Sequence, residues 1–171
     1  MQRRMMKSKI TLITKKHVLI GLVLLSLSAY GFLLHETNQI DENSIVAMRA
    51  MNATKRLMRA DKDFFEPHKG SLVKIYSKSK HNVVRLGLIT LYFDFVKEFS
   101  PSELTSIKTL TLKWIKASED WMILAQGLKL LEKLAKIDPK IKPDLIKIAK
   151  VLQKDSRKAV SAKAKKVLSS L

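Results

Sequence analysis

The stretch Asp120 to Leu134, DWMILAQGLKLLEKL, reads as a helix that cannot be stable alone. Met122, Ile123, Gly127, Leu130, Leu131 and Leu134 recur at helical spacing on one side, while Gln126, Lys129, Lys133 and Lys136 form the opposite stripe. An apolar face that broad must be covered by neighbouring elements. Asp120 is placed to accept backbone N–H bonds at the helix start, and Gly127 leaves room for another backbone to approach. Five Gly and four Pro in 171 residues leave few turns, which favours long elements, and 46% hydrophobic residues suffice for a packed core. The expected class is all-α.

Other segments follow the same logic. Asn43 to Ala60 reads as a helix with Ile45, Met48, Met51 and Leu57 inward, and it ends at Asp61-Lys62-Asp63, near Pro67 and Gly70. A short amphipathic helix is expected over Ser71 to Ser79, then a break at Lys78 to Asn82. The next helix starts at His81 or Asn82 and runs to about Phe99. It is apolar nearly all round and is expected to be the most buried element. Ser100-Pro101-Ser102-Glu103 is a capping box with Pro at the first helical position. Leu104, Ile107, Leu110 and Trp114 give that helix its inward face. Asp138-Pro139 and Lys142-Pro143-Asp144 frame another start, with Leu145, Ile148, Ala149 and Leu152 as core. Asp155 is expected to cap the last helix, in which Val160, Ala164, Val167, Leu168 and Leu171 recur at three- and four-residue steps.

The first 42 residues are of another kind. Residues 1–16 carry Arg3, Arg4, Lys7, Lys9, Lys15 and Lys16, and residues 17–35 carry no charged residue other than the terminal histidines His17 and His35. The seventeen residues from Val18 to Leu34, almost wholly apolar, would span roughly 25 Å as a helix, at the short end of what crosses a bilayer. We read 17–35 as a transmembrane signal anchor. A cleaved signal peptide is the alternative, since Ala29-Tyr30-Gly31 offers small residues at the two positions a signal peptidase reads. Glu36, Asp41 and Glu42 follow in a polar linker, residues 36–42, so the basic flank places the N-terminus in the cytoplasm and residues 43–171 on the exported side, the periplasm in a bacterium. Cleavage would make the domain secreted.

The helices of 43–171 recur. Starts near Asp41 to Asn43, His81 or Asn82, Asp120 and Asp155 lie about 39, 38 and 35 residues apart. Val84, Arg85, Leu88, Leu91 and Phe95 in the second unit, Asp120, Ile123, Gly127, Leu130, Leu131 and Leu134 in the third, and Asp155, Ala159 and Ala162 in the fourth carry a pattern that resembles HEAT or armadillo-type repeats. The resemblance implies an α-solenoid of about four helix pairs, each burying its face on the next. An all-α bundle without repeat symmetry is the alternative. In solenoids of this kind the second helix of each pair lines the concave surface, which implies that Lys129, Lys133 and Lys136 face it beside Lys158 and Lys165.

Site chemistry is sparse. There is no Cys, and His17, His35, His68 and His81 are never paired at the spacing that puts two ring nitrogens on one helical face. No phosphate loop or nucleophile elbow is present, and we expect neither a metal, a cofactor nor an enzyme. Trp114 and Trp121 are expected in the core. The remaining handle is charge: +18 overall, with eleven basic against three acidic residues from Lys136 onward. The candidate binding residues are Lys129, Lys133, Lys136, Lys158, Lys163 and Lys165. A protein partner is the expected ligand, and an anionic lipid or envelope polymer is the alternative. Nucleic acid ranks below both, because Arg85 and Arg157 are the only arginines after residue 59 and an exported domain does not meet the chromosome.

Overall fold

The computed structural model describes residues 43–171, and its first helix, α1 (Ser44–Ala60), begins where the Asn43 side chain accepts the N–H groups of Ile45 and Val46 at 3.1 and 3.2 Å. The basic segment 1–16, the apolar span 17–35 and the linker 36–42 lie outside the described residues. Among the described residues every regular element is helical, with no strand, and no helix is long and apolar enough to cross a membrane. Among the described residues, 43–65 fall in one compact unit and 66–171 in another.

In α1 the buried positions are Ala47, Met51, Thr54, Leu57 and Met58. Ile45 and Met48, expected inward, are 56% and 41% exposed. The buried stripe runs through Ala47 and Met51, one residue and so about 100° round the helix from Met48.

The second helix, α2 (Lys62–Lys74), corrects the expected break over 61–70 and the expected helix over 71–79. Asp61 closes α1 through its own N–H to Leu57 and opens α2 by accepting the Asp63 N–H at 3.1 Å. Pro67 removes one hydrogen bond from the interior of α2, and Gly70 weakens it further. Burial of Phe64 and Phe65 before them and Leu72 and Val73 after them outweighs both. A 3₁₀ turn, Tyr76–Lys78, follows.

The unit of residues 66–171 is built round α3 (Asn82–Asp94), α4 (Pro101–Ala117), α5 (Trp121–Ile137), α6 (Lys142–Leu152) and α7 (Lys158–Ser169). α3 stops at Asp94 rather than Phe99, and Val96–Glu98 tightens into a 3₁₀ turn. Arg85 donates to the Ser79 carbonyl at 3.2 Å and so fixes the loop that enters α3. The capping box is present: the Ser100 N–H donates to Glu103 Oε2 at 2.8 Å, and the Glu103 N–H donates to Ser100 Oγ at 3.4 Å. Burial would raise the Glu103 carboxyl, but its bonds to Ser100 hold it below the usual range.

α3 exposes only its end residues Asn82 and Asp94, as expected of a deeply buried helix, but the central element is α5. It packs against α3, α4, α6 and α7, and Ile123, Leu124, Gly127, Leu128, Leu130, Leu131, Leu134 and Ala135 are all enclosed. α3 keeps Val83, Leu86 and Phe93 only half-buried. Asp120 caps α5 as expected, accepting the Met122 N–H at 2.9 Å. The core continues through Tyr92, whose ring stacks on Trp114 with centroids 6.5 Å apart and meets Phe99 edge-on at 5.7 Å. Trp121 departs from expectation: it is 48% exposed at the first turn of α5, beside the partly exposed Met122.

Asp155 does not cap α7. That helix starts at Lys158 with Arg157 before it, and Asp155 instead accepts the Arg157 N–H at 2.9 Å and its guanidinium at 2.6 and 2.8 Å. Asp and Arg two residues apart form a closed local ring of charge-assisted bonds, which competes with capping. The Asp155 carboxyl is held down at about 2 by its side-chain bonds to Arg157 and then by the backbone bond.

Candidate functional site

The six lysines singled out by sequence fall into two groups. Lys133 sits with its ammonium 4.1 Å from the Phe93 ring centroid, and donates to the Phe93 carbonyl at 2.6 Å. That carbonyl belongs to the last turn of α3, where a cation also meets the negative end of the helix. Lys129, one turn earlier on α5, lies 4.4 Å from the same ring. Lys163 of α7 pairs with Glu132 of α5 at 2.8 Å, and Lys136 approaches the other Glu132 oxygen at 3.7 Å. Glu132 is drawn upward by burial, yet the bond and charge of Lys163, with Lys136 and Ser170, leave it below the usual carboxylate range. Lys133 and Lys163 are thus ties between helices. Lys158 and Lys165 are exposed on α7.

Glu132 and Lys133 are neighbours on α5, about 100° apart round its axis, and reach α7 and α3 respectively. The stripe of α5 between those helices carries Lys129 and Lys136. Leu124 lies five residues from Lys129, about 140° round the helix, and faces a different feature.

That feature is a groove of about 430 Å³ between α4 and α6, over a floor that includes Leu124. Its apolar surface is Leu112 and Ile115 from α4, Leu124 from α5, and Ile148, Val151 and Leu152 from α6. Val151 is 67% exposed although it belongs to this wall. The charged rim consists of Lys116, Lys147 and Arg157 with Asp144 and Asp155. A second hollow shares Leu112, Lys116 and Asp144 with it and adds Lys108 and Lys113.

Two polar ties frame the groove. At one end Lys108 of α4 pairs with Asp144 of α6 at 2.9 Å. At the other, the Arg157 guanidinium, already clamped by Asp155, donates to the Glu119 carbonyl just beyond α4. The ties join residues in the same chain order, so α4 and α6 run side by side in one direction. Both rim acids are engaged in these ties, whereas Lys113, Lys116 and Lys147 are exposed. The groove therefore presents net positive charge over an apolar floor.

Sequence reasoning assigned Leu145, Ile148, Ala149 and Leu152 to the core, and all four are buried. It missed the groove. The signal was Val151, an apolar residue about 100° off that stripe. Among the described residues no group of three or more His, Asp or Glu side chains is placed to hold a metal ion, and Asp61, Asp63, Glu66, His68 and His81 do not form one.

Comparison of the chain with family models, with curated proteins and with solved structures finds no match.

Proposed function

We propose that this chain is a non-catalytic, membrane-anchored helical-repeat adaptor that holds a protein partner on a cationic surface. The observation that carries the reading is the α4/α6 groove, where apolar floor and unneutralised lysines occur together, as they do in surfaces that bind other proteins. The repeat arrangement is supported by the packing of α5 against both α3 and α7, and by the common direction of α4 and α6. This is what stacked helix pairs produce. The basic flank and the uncharged run over 17–35 support anchoring, with residues 43–171 on the exported side.

The test is photo-crosslinking of the full chain in its native membranes, with a photoreactive residue at Lys147 or at Lys158. A discrete protein adduct is expected. Adducts confined to lipid, polymer or nucleic acid, from both positions, would overturn the adaptor reading in favour of a polyanion-binding module.

A further inference from the structure

We infer that the α4/α6 groove binds one amphipathic helix of the partner protein, with an apolar stripe on the floor and acidic residues along both flanks; this rests on the adaptor reading above. Three features select that occupant. The first is shape: α6 has eleven residues and is about 16 Å long, so a helix laid beside it engages about three turns and reaches the floor with anchors at i, i+4 and i+7. Leu112 on α4 and Ile148 and Val151 on α6 supply apolar partners along that length.

The second is where the charge lies. Lys116 projects from the α4 side and Lys147 from the α6 side, with Lys113 in the adjoining hollow. A fatty acid or a single phosphate presents one anionic head and would engage one of these positions. A helix with Glu or Asp on both sides of its apolar stripe engages both walls at once. A basic or neutral helix would meet like charge or leave the lysines uncompensated.

The third is that the rim acids do not repel such a ligand at full strength. Asp144 is neutralised by Lys108 and Asp155 by Arg157, and the walls are joined by the Lys108–Asp144 pair and by the bond from Arg157 to the Glu119 carbonyl. The groove is thus framed before anything binds, which reduces the ordering cost on the protein side. Its position, on the side of α5 away from Lys129, separates it from the cation stripe that the sequence singled out.

The experiment uses the full chain in detergent micelles and fluorescent helical peptides of about fourteen residues. One probe carries Leu at i, i+4, i+7 and i+11 with Glu on both flanks; a second has Lys for Glu, and a third has Ser for Leu. Anisotropy should show binding of the first probe alone, weakened at least about tenfold by Val151→Glu. The exposure of Val151 lets this substitution leave the fold intact, which a thermal melt checks. The double change Lys116→Glu with Lys147→Glu should shift preference to the Lys peptide. Equal binding of the Ser peptide, no effect of Val151→Glu, or displacement of the Leu-Glu peptide by anionic vesicles with no change in the Val151→Glu protein would each overturn the groove assignment. If crosslinks to a protein persist from Lys158 while the groove variants change nothing, the adaptor reading stands and this inference falls. If neither position captures protein, both fall.

Discussion

Gly127 of α5 lies so close to Ile115 of α4 that a Cβ built on the glycine would stand 2.8 Å from both Cδ1 and Cγ1 of that isoleucine. The sequence suggested a close approach of backbones here, but what occupies the space is a buried side chain. Gly127→Ala should gain up to about 1 kcal/mol in helix propensity and lose about 1–3 kcal/mol to overpacking, for a net loss. Removing the obstacle reverses the sign: in an Ile115→Ala background the same change should stabilise. Urea denaturation of the four proteins of this cycle measures the coupling.

Tyr92→Phe should cost about 1–2 kcal/mol. The Tyr92 hydroxyl donates to the Leu72 carbonyl at 2.7 Å, and both residues are buried, so the variant leaves that carbonyl without its partner. Burial also raises the phenol well above its ordinary value, so it stays protonated and donating across the working pH range. The denaturation midpoint should fall while the far-ultraviolet circular dichroism spectrum is unchanged.

Lys133 and Lys158 were singled out together for a surface, and alanine substitution should separate them. Lys133→Ala removes a ring contact and a cation at the C-terminal end of α3, worth together about 1–2 kcal/mol. Lys158→Ala, at an exposed position, should change stability by no more than about 0.5 kcal/mol. Thermal melts of the two variants, recorded side by side, give the comparison.

Asp155 predicts an acid limb. Its carboxyl is held at about 2 in the folded chain, against about 3.9 for a free aspartate. A lowered folded value means stability that is present above the free value and is lost as pH falls through the folded one. Melting temperature should therefore drop between about pH 5 and pH 2. Glu132, also lowered, adds to the same limb. Asp155→Asn should be less stable at neutral pH, show a shallower limb, and converge on the unaltered protein near pH 2; parallel curves across the range would refute the assignment.

The parts of this fold legible in sequence are those fixed by neighbours in the chain. Ser100 and Glu103 announced α4 because both halves of the capping box lie within four residues. Asp120 announced α5 for the same reason. Pro67 and Gly70 misled, since local breakers yield when Phe65 and Leu72 can be buried on either side of them. Asp155 misled differently: an acid before a helical run has one appearance whether it caps the helix or grips an arginine two residues on. Lys133 and Lys163 read as free surface charges because their partners, at Phe93 and Glu132, lie 40 and 31 residues away. The groove was the least legible feature, because its width is set by the separation of α4 and α6, which no run of residues encodes.

Several ties between distant segments end on main-chain oxygens: Tyr92 on Leu72, Lys133 on Phe93, Arg157 on Glu119, and Lys69 on Glu98. The ties to Glu98 and Glu119 ask for one particular donor and take nothing from the side chain opposite it, whereas Leu72 and Phe93 also contribute their side chains, to the core and to the ring contact. Position 119 can drift freely so long as 157 remains a long planar donor. A scaffold joined in this manner can diverge quickly in sequence while its helices keep their places, leaving a thin trail by which descendants could be recognised.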